Sequence, residues 1–128
     1  MAEYEVRIIE SSKEMTAREK IRYKNFSAAI ALDSLVEDEN SQFTIEPIAF
    51  AAFAVHNDKA EHKDYNLYII EDRGGNLYKT GSEAFFTRFK EIFNTMNEDA
   101  PGEVYTVSVI KRPSAKYKGK YILLCQLD

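Results

Sequence analysis

The stretch "YNLYIIEDRGGNLYKTGSEAFFTRFKEIFNTM", from Tyr65 to Met96, changes its hydrophobic period half-way along. Its first part has strand composition on both sides of Gly74–Gly75, a pair able to supply the positive φ of a tight hairpin. "YNLYIIED" and "NLYKT" are therefore predicted to pair antiparallel. From Ser82 onward the apolar residues Phe85, Phe86, Phe89, Ile92, Phe93 and Met96 fall three and four apart, which predicts an amphipathic helix with an aromatic face. Ser82 is placed to cap its first turn, and Glu83 suits the helix dipole there. Pro101 and Gly102 end it.

Downstream, "EVYTVSVI" and "KYILLCQL" read as two more strands. Upstream, "FTIEPIAFAAFAVH" (43–56) is long and apolar; its alanines permit a helix, but Pro47 would interrupt one and the aromatics favour a strand. "HNDKAEHKD" is a polar turn. The order from Phe43 is thus strand, strand, strand, helix, strand, strand. That order predicts a mainly β chain of α+β content. Its architecture is an OB-fold five-stranded Greek-key barrel, with a helix between strands 3 and 4 plugging one end. The acidic stretch "VEDENSQ" (36–42) reads as a solvated loop. The prediction is one OB-type domain over 1–128, with 1–42 as an N-terminal extension and 43–128 as the barrel. In the extension, "YEVRII" alternates as a strand does. "TAREKIRYKNF" is ambiguous: Thr16 and Glu19 have capping-box spacing, whereas Arg18, Lys20, Arg22 and Lys24 alternate with Ile21 and Tyr23 as in a strand. "SAAIALDSLV" reads as a buried segment.

A chain of 128 residues can bury one sizeable core. With 45% hydrophobic and 30% charged residues its composition is that of an ordinary globular protein. A single cysteine, Cys125, makes no internal disulfide and suits a reducing compartment. The start "MAEYEVRIIE" lacks the pattern of a secretory signal, and the longest apolar run, Ile48 to Val55, is too short to cross a bilayer as a helix. A cytoplasmic location without a membrane partner is expected.

The net charge of −4 argues mildly against nucleic acid, because basic domains are its usual partners. Yet Lys111, Arg112, Lys116, Lys118 and Lys120 gather within ten residues, without an acid, around Tyr117. Charges beyond about 8–10 Å are largely screened at physiological salt, so a local patch can still attract phosphate. Single-strand binders combine cations along the phosphates with aromatic rings that stack bases. In an OB barrel, moreover, the loop between strands 4 and 5 and the face of strands 2 and 3 bind oligonucleotides or oligosaccharides. Against this stands the common use of lysines to guard a hairpin edge. On the second hairpin, Leu67, Ile69 and Leu77 facing inward would turn Tyr68 and Tyr78 outward, with Arg73 and Lys79 near; a cross-strand aromatic pair, or packing of the two rings under the N-terminal segment, is the competing reading. The cations at Arg18 to Lys24 would extend the basic track, or form a solvated face.

The signs of catalysis are few. His56, Glu61 and His62 have no regular metal-ligand spacing. Cys125 lies in an apolar strand, where thiols are inert. "EDRGGN" lacks the Lys-Ser/Thr of a phosphate loop. The carboxylates of Glu71 and Asp72 sit in a turn. Neither enzyme activity nor a cofactor nor a metal is expected.

At "LYKTGSEAFFTRFKEIF" and "KRPSAKYKGKYILLCQL" the chain resembles small OB-fold single-stranded DNA-binding proteins of phages and conjugative elements of Gram-positive bacteria, most strongly from Tyr65 onward, with "SAAIALD" a further point of likeness. The resemblance implies non-catalytic, largely sequence-independent binding of single-stranded DNA in replication or conjugative transfer. Residue by residue it supports Lys111, Arg112, Lys116, Tyr117, Lys118 and Lys120. The sequence departs from the bacterial housekeeping pattern in reading to "CQLD" rather than to an acidic-tipped tail, so recruitment of partners through the C-terminus is not expected. Self-association along the strand is a further expectation, and RNA a subordinate ligand. The alternative is a protein–protein module docking a replication or transfer partner, in which "VEDEN" would matter more than the lysines.

Overall fold

The computed structural model describes residues 3–128 and is mixed α/β, mainly strands in two sheets. The strands are β1 (Tyr4–Ser11), β2 (Ile30–Ala31), β3 (Gln42–Ile45), β4 (Pro47–Asn57), β5 (Asp64–Asp72), β6 (Leu77–Thr80), β7 (Val107–Pro113) and β8 (Tyr121–Leu127). The α-helices are α1 (Ala17–Lys24), α2 (Leu32–Leu35) and α3 (Glu83–Asp99), and a 3-10 turn covers Phe26–Ala28. One sheet has the order β1-β4-β5-β6-β2, the other β3-β7-β8. No ladder joins the two sheets among the described residues. Nor is any of their helices long and apolar enough to cross a membrane.

By contacts the chain divides into two compact units that interleave in sequence. The first takes residues up to Ile30 together with Ile48–Gly81; the second takes Ala31–Pro47 and Ser82–Asp128. The N-terminal 42 residues are thus shared between them. The long apolar run predicted as one strand is two, β3 and β4, separated by Glu46 at Pro47, where proline's missing amide suits a strand's first residue.

In the first unit β1 lies antiparallel to β4, and β5 to β6. The hairpin turns at Gly75, whose φ of 86° is readily adopted only by glycine. Phe53, Ala51, Val55 and Ile69 form a buried cluster with Met15, Tyr23 and Ala29. The ambiguous "TAREKIRYK" is a helix. Thr16 Oγ1 accepts from Glu19 N (3.2 Å) and Thr16 N donates to Glu19 Oε1 (3.0 Å), a reciprocal cap that a strand could not make. Tyr23, fully buried, donates its hydroxyl to Glu71 (2.5 Å), while Arg22 pairs with the same carboxylate (3.0 Å) and with the carbonyl of Gly75. These bonds tie α1 to the hairpin.

In the second unit β3 and β8 flank β7, and α3 packs on β8. Ser82 caps α3 as expected, its Oγ accepting from Phe85 N (3.2 Å). Phe85, Phe86, Phe89, Ile92 and Phe93 are buried, and Met96 half-buried. Leu32 and Val36 of the predicted buried segment have no exposed surface, whereas Ile30 is exposed.

Candidate nucleic-acid interface

The β7–β8 ladder ends at the pair Pro113–Tyr121, so residues 114–120 form the connecting loop. It has defined backbone geometry. Ser114 N donates to Lys120 O (2.8 Å), and Lys120 N to Tyr117 O (3.2 Å). Ser114 Oγ accepts from the amides of Lys116 (3.2 Å) and Tyr117 (3.1 Å). Gly119 takes φ 79°; a Cβ there would meet nothing within 4 Å, so glycine serves the conformation rather than a close approach.

On this frame Tyr117 is 59% exposed, and Lys116 Nζ lies 5.4 Å from its ring centroid. That distance permits a cation–π contact, which holds the ring and a cation side by side. Lys116, Lys118 and Lys120 are exposed, and none has a carboxylate partner among the described residues. The two remaining cations are partly engaged: Lys111 Nζ donates to Asp33 O (3.1 Å), and Arg112 to the carbonyl of Lys111 (3.0 Å). Both acceptors are backbone carbonyls, so neither bond pairs the cation with an acid. Tyr121, at the loop's base, is 48% exposed and adds a second ring. Sequence reasoning left it and Ser114 unnamed. The signal for Ser114 was present, since serine hydroxyls commonly close turns onto amides two and three residues on.

The expected outward tyrosines of the hairpin need correcting. Tyr68 and Tyr78 are only 6% and 5% exposed. Tyr68, Ile69 and Ile70 are buried in succession, so both faces of β5 are covered at this point, and alternation told the two faces apart but not which was wet. Ile70, fully buried, shares the face of Tyr68 and is paired with Tyr78, and was the available warning. Tyr78 donates to Asp72 (2.9 Å); burial and this bond push its phenol up to about 12. Tyr68 lies opposite Thr80, diagonal to Tyr78 rather than facing it. Neither ring is available to a base. Lys79 donates to Phe26 O (2.9 Å), and Arg73 is exposed at the turn. These four residues belong to the first unit, and the basic loop to the second. On helix α1 the four alternating cations split into two stripes, Arg18 with Arg22 and Lys20 with Lys24, because residues four apart share a helix face.

The groups considered for chemistry have structural surroundings. Cys125 is buried, and burial pushes its thiol up to about 12. No group of three His, Cys, Asp or Glu among the described residues is arranged to hold a metal ion. His56 sits between Asp64 (Nδ1, 2.7 Å) and Asp58 (Nε2, 2.7 Å). Donating to both carboxylates takes both ring protons, and the bonds to Asp64 and then Asp58 raise its pKa above 6.5. Since the folded value is the raised one, this clamp is fully present below about pH 6.5 and is lost as pH rises through the higher folded value. An NMR titration of the His56 ring should therefore move to lower pH on Asp64→Asn. An unchanged midpoint would show that the clamp is not made in solution.

Comparisons with known proteins return no match. No family model, curated protein or solved structure matches the chain.

Proposed function

We propose that this chain is a non-catalytic, largely sequence-independent single-stranded DNA-binding protein acting in replication or conjugative transfer. The observation that carries the reading is the loop at 114–120. Three lysines without carboxylate partners among the described residues and an exposed tyrosine stand on a turn closed by its own hydrogen bonds. Because the backbone is already held, little ordering is needed when phosphates meet the lysines and a base meets Tyr117. Such contacts are sequence-tolerant, since every nucleotide carries a phosphate and a π-face.

An open OB arrangement fits the same reading. The chain passes from β3, a neighbour of β7, straight into β4, a neighbour of β5, and α3 falls between β6 and β7. An OB barrel left open between its third and fifth strands would run through its strands and helix in this order, which supports the reading.

Fluorescence anisotropy with labelled oligo-dT, a matched duplex and an RNA of equal length, at several salt concentrations, tests the function. Tight binding to the single-stranded DNA is expected, with a log–log salt slope of about −0.7 per phosphate contact and roughly −3.5 if all five cations engage. The duplex should bind much more weakly. No binding at low salt would overturn the reading and leave the docking of a protein partner in its place.

A further inference from the structure

We propose that two copies of this chain join antiparallel through the free edge of β1, centred on Val6, making one continuous sheet. This pairing is independent of nucleic acid and uses a surface remote in sequence from the basic loop.

The two edges of the five-stranded sheet differ. Strand β2 is two residues long, too short to template another chain, whereas β1 runs for eight and contains neither proline nor lysine. Its interruption is a register shift between Ile8 and Glu10, which leaves Tyr4–Ile8 as the regular stretch. The midpoint of that stretch is Val6. Strand β8, at the edge of the other sheet, carries no charged residue to select a register.

The hydrogen-bond phase suits this centre. Asp58 N donates to Glu3 O (2.8 Å), so along the antiparallel ladder the backbone groups of Glu3, Glu5 and Arg7 point toward β4. Those of Tyr4, Val6 and Ile8 point out of the edge. A two-fold axis at Val6 makes Val6 a hydrogen-bonded pair with its copy, and Tyr4 a pair with Ile8 of the second copy, in both directions.

Side-chain chemistry selects the same register. On one face Glu5 meets Arg7 of the second copy, twice by symmetry. Both residues are exposed, and neither has an ion-pair partner among the described residues. On the other face Val6 meets Val6 and Tyr4 meets Ile8. Val6 and Ile8 already pack against the buried cluster, so the apolar layer would continue across the seam and cover Tyr4, which is exposed. Centring on Glu5 or on Arg7 would oppose like charges. A shift by a single residue would set Glu5 against Ile8 and put polar and apolar groups together.

Sedimentation equilibrium from micromolar to millimolar protein tests this on the full chain, with variants E5R, R7E, E5R/R7E and V6P. Wild type should dimerise, and E5R and R7E should each weaken the dimer by about tenfold or more. The double variant should recover it, and so should mixing the two single variants, because each contact then joins opposite charges. V6P removes an outward amide and should dissociate the dimer while keeping the wild-type far-UV circular dichroism, as proline is tolerated at a sheet edge. A wild type that stays monomeric throughout, or E5R and R7E that associate as wild type does, would overturn the proposal. So would a failure of the mixed single variants to associate.

Discussion

Replacing Lys116, Lys118 and Lys120 together by glutamate should lower the affinity for oligo-dT by at least about a hundredfold near 0.1 M salt, and flatten the salt slope from roughly −3.5 to about −1.4. The slope separates two explanations. A triple variant that lost binding through misfolding would bind at no salt concentration. One that lost three phosphate contacts would keep weak binding through Lys111 and Arg112, with a dependence that reports two contacts. Misfolding is not expected, because all three side chains are exposed and the loop is held by Ser114 and by backbone bonds that glutamate leaves intact. Tyr117→Ala should act differently, costing on the order of 1–3 kcal/mol with the slope unchanged, since stacking releases no counterions. If the triple variant bound as wild type does, the lysines would instead serve to keep a strand edge from pairing with other chains.

The parts of the fold that were legible in the sequence are those decided by neighbours in the chain. Gly75 and its flanking strands specify a turn locally, and the six apolar positions from Phe85 to Met96 specify a helix whatever it packs on. For Arg18 to Lys24 two local signals conflicted, and the cap at Thr16 with the burial of Tyr23 against Glu71 decided for helix. What remained hidden was set by partners distant in sequence. Nothing local shows that residues 3–30 cluster with β4–β6, while 31–47 go with α3, β7 and β8. The burial of Tyr68 and Tyr78 is of the same kind, because it depends on what covers the second face of β5. The candidate loop was easier to read, since charge and exposure within one hairpin depend on little beyond it. The same locality hid Tyr121, whose exposure follows from its place at the ladder's end.

Phe89→Ala should destabilise the second unit by about 3–5 kcal/mol, a large share of the roughly 5–15 kcal/mol that holds a typical domain folded. Phe89 has no exposed surface, and its ring lies 6.3, 6.2 and 5.8 Å from those of Phe85, Phe86 and Phe93. Removing it empties the centre of the aromatic face of α3, and its neighbours, fixed to the same helix, have little freedom to close the gap. The chain has no tryptophan, so urea unfolding is best followed by far-UV circular dichroism. The midpoint should fall with the m-value unchanged, because the surface exposed on unfolding hardly alters. Phe89→Leu keeps most of the volume and should cost much less. Since α3 packs on β8, the strand that anchors one end of the basic loop, Phe89→Ala should also weaken DNA binding, but only under conditions where the unit is partly unfolded. A loss below about 1 kcal/mol would mean that the helix shifts to refill the space, as cores able to collapse do. A fall in DNA affinity while the unit stayed fully folded would show that the loop's geometry responds to packing on the far side of β8.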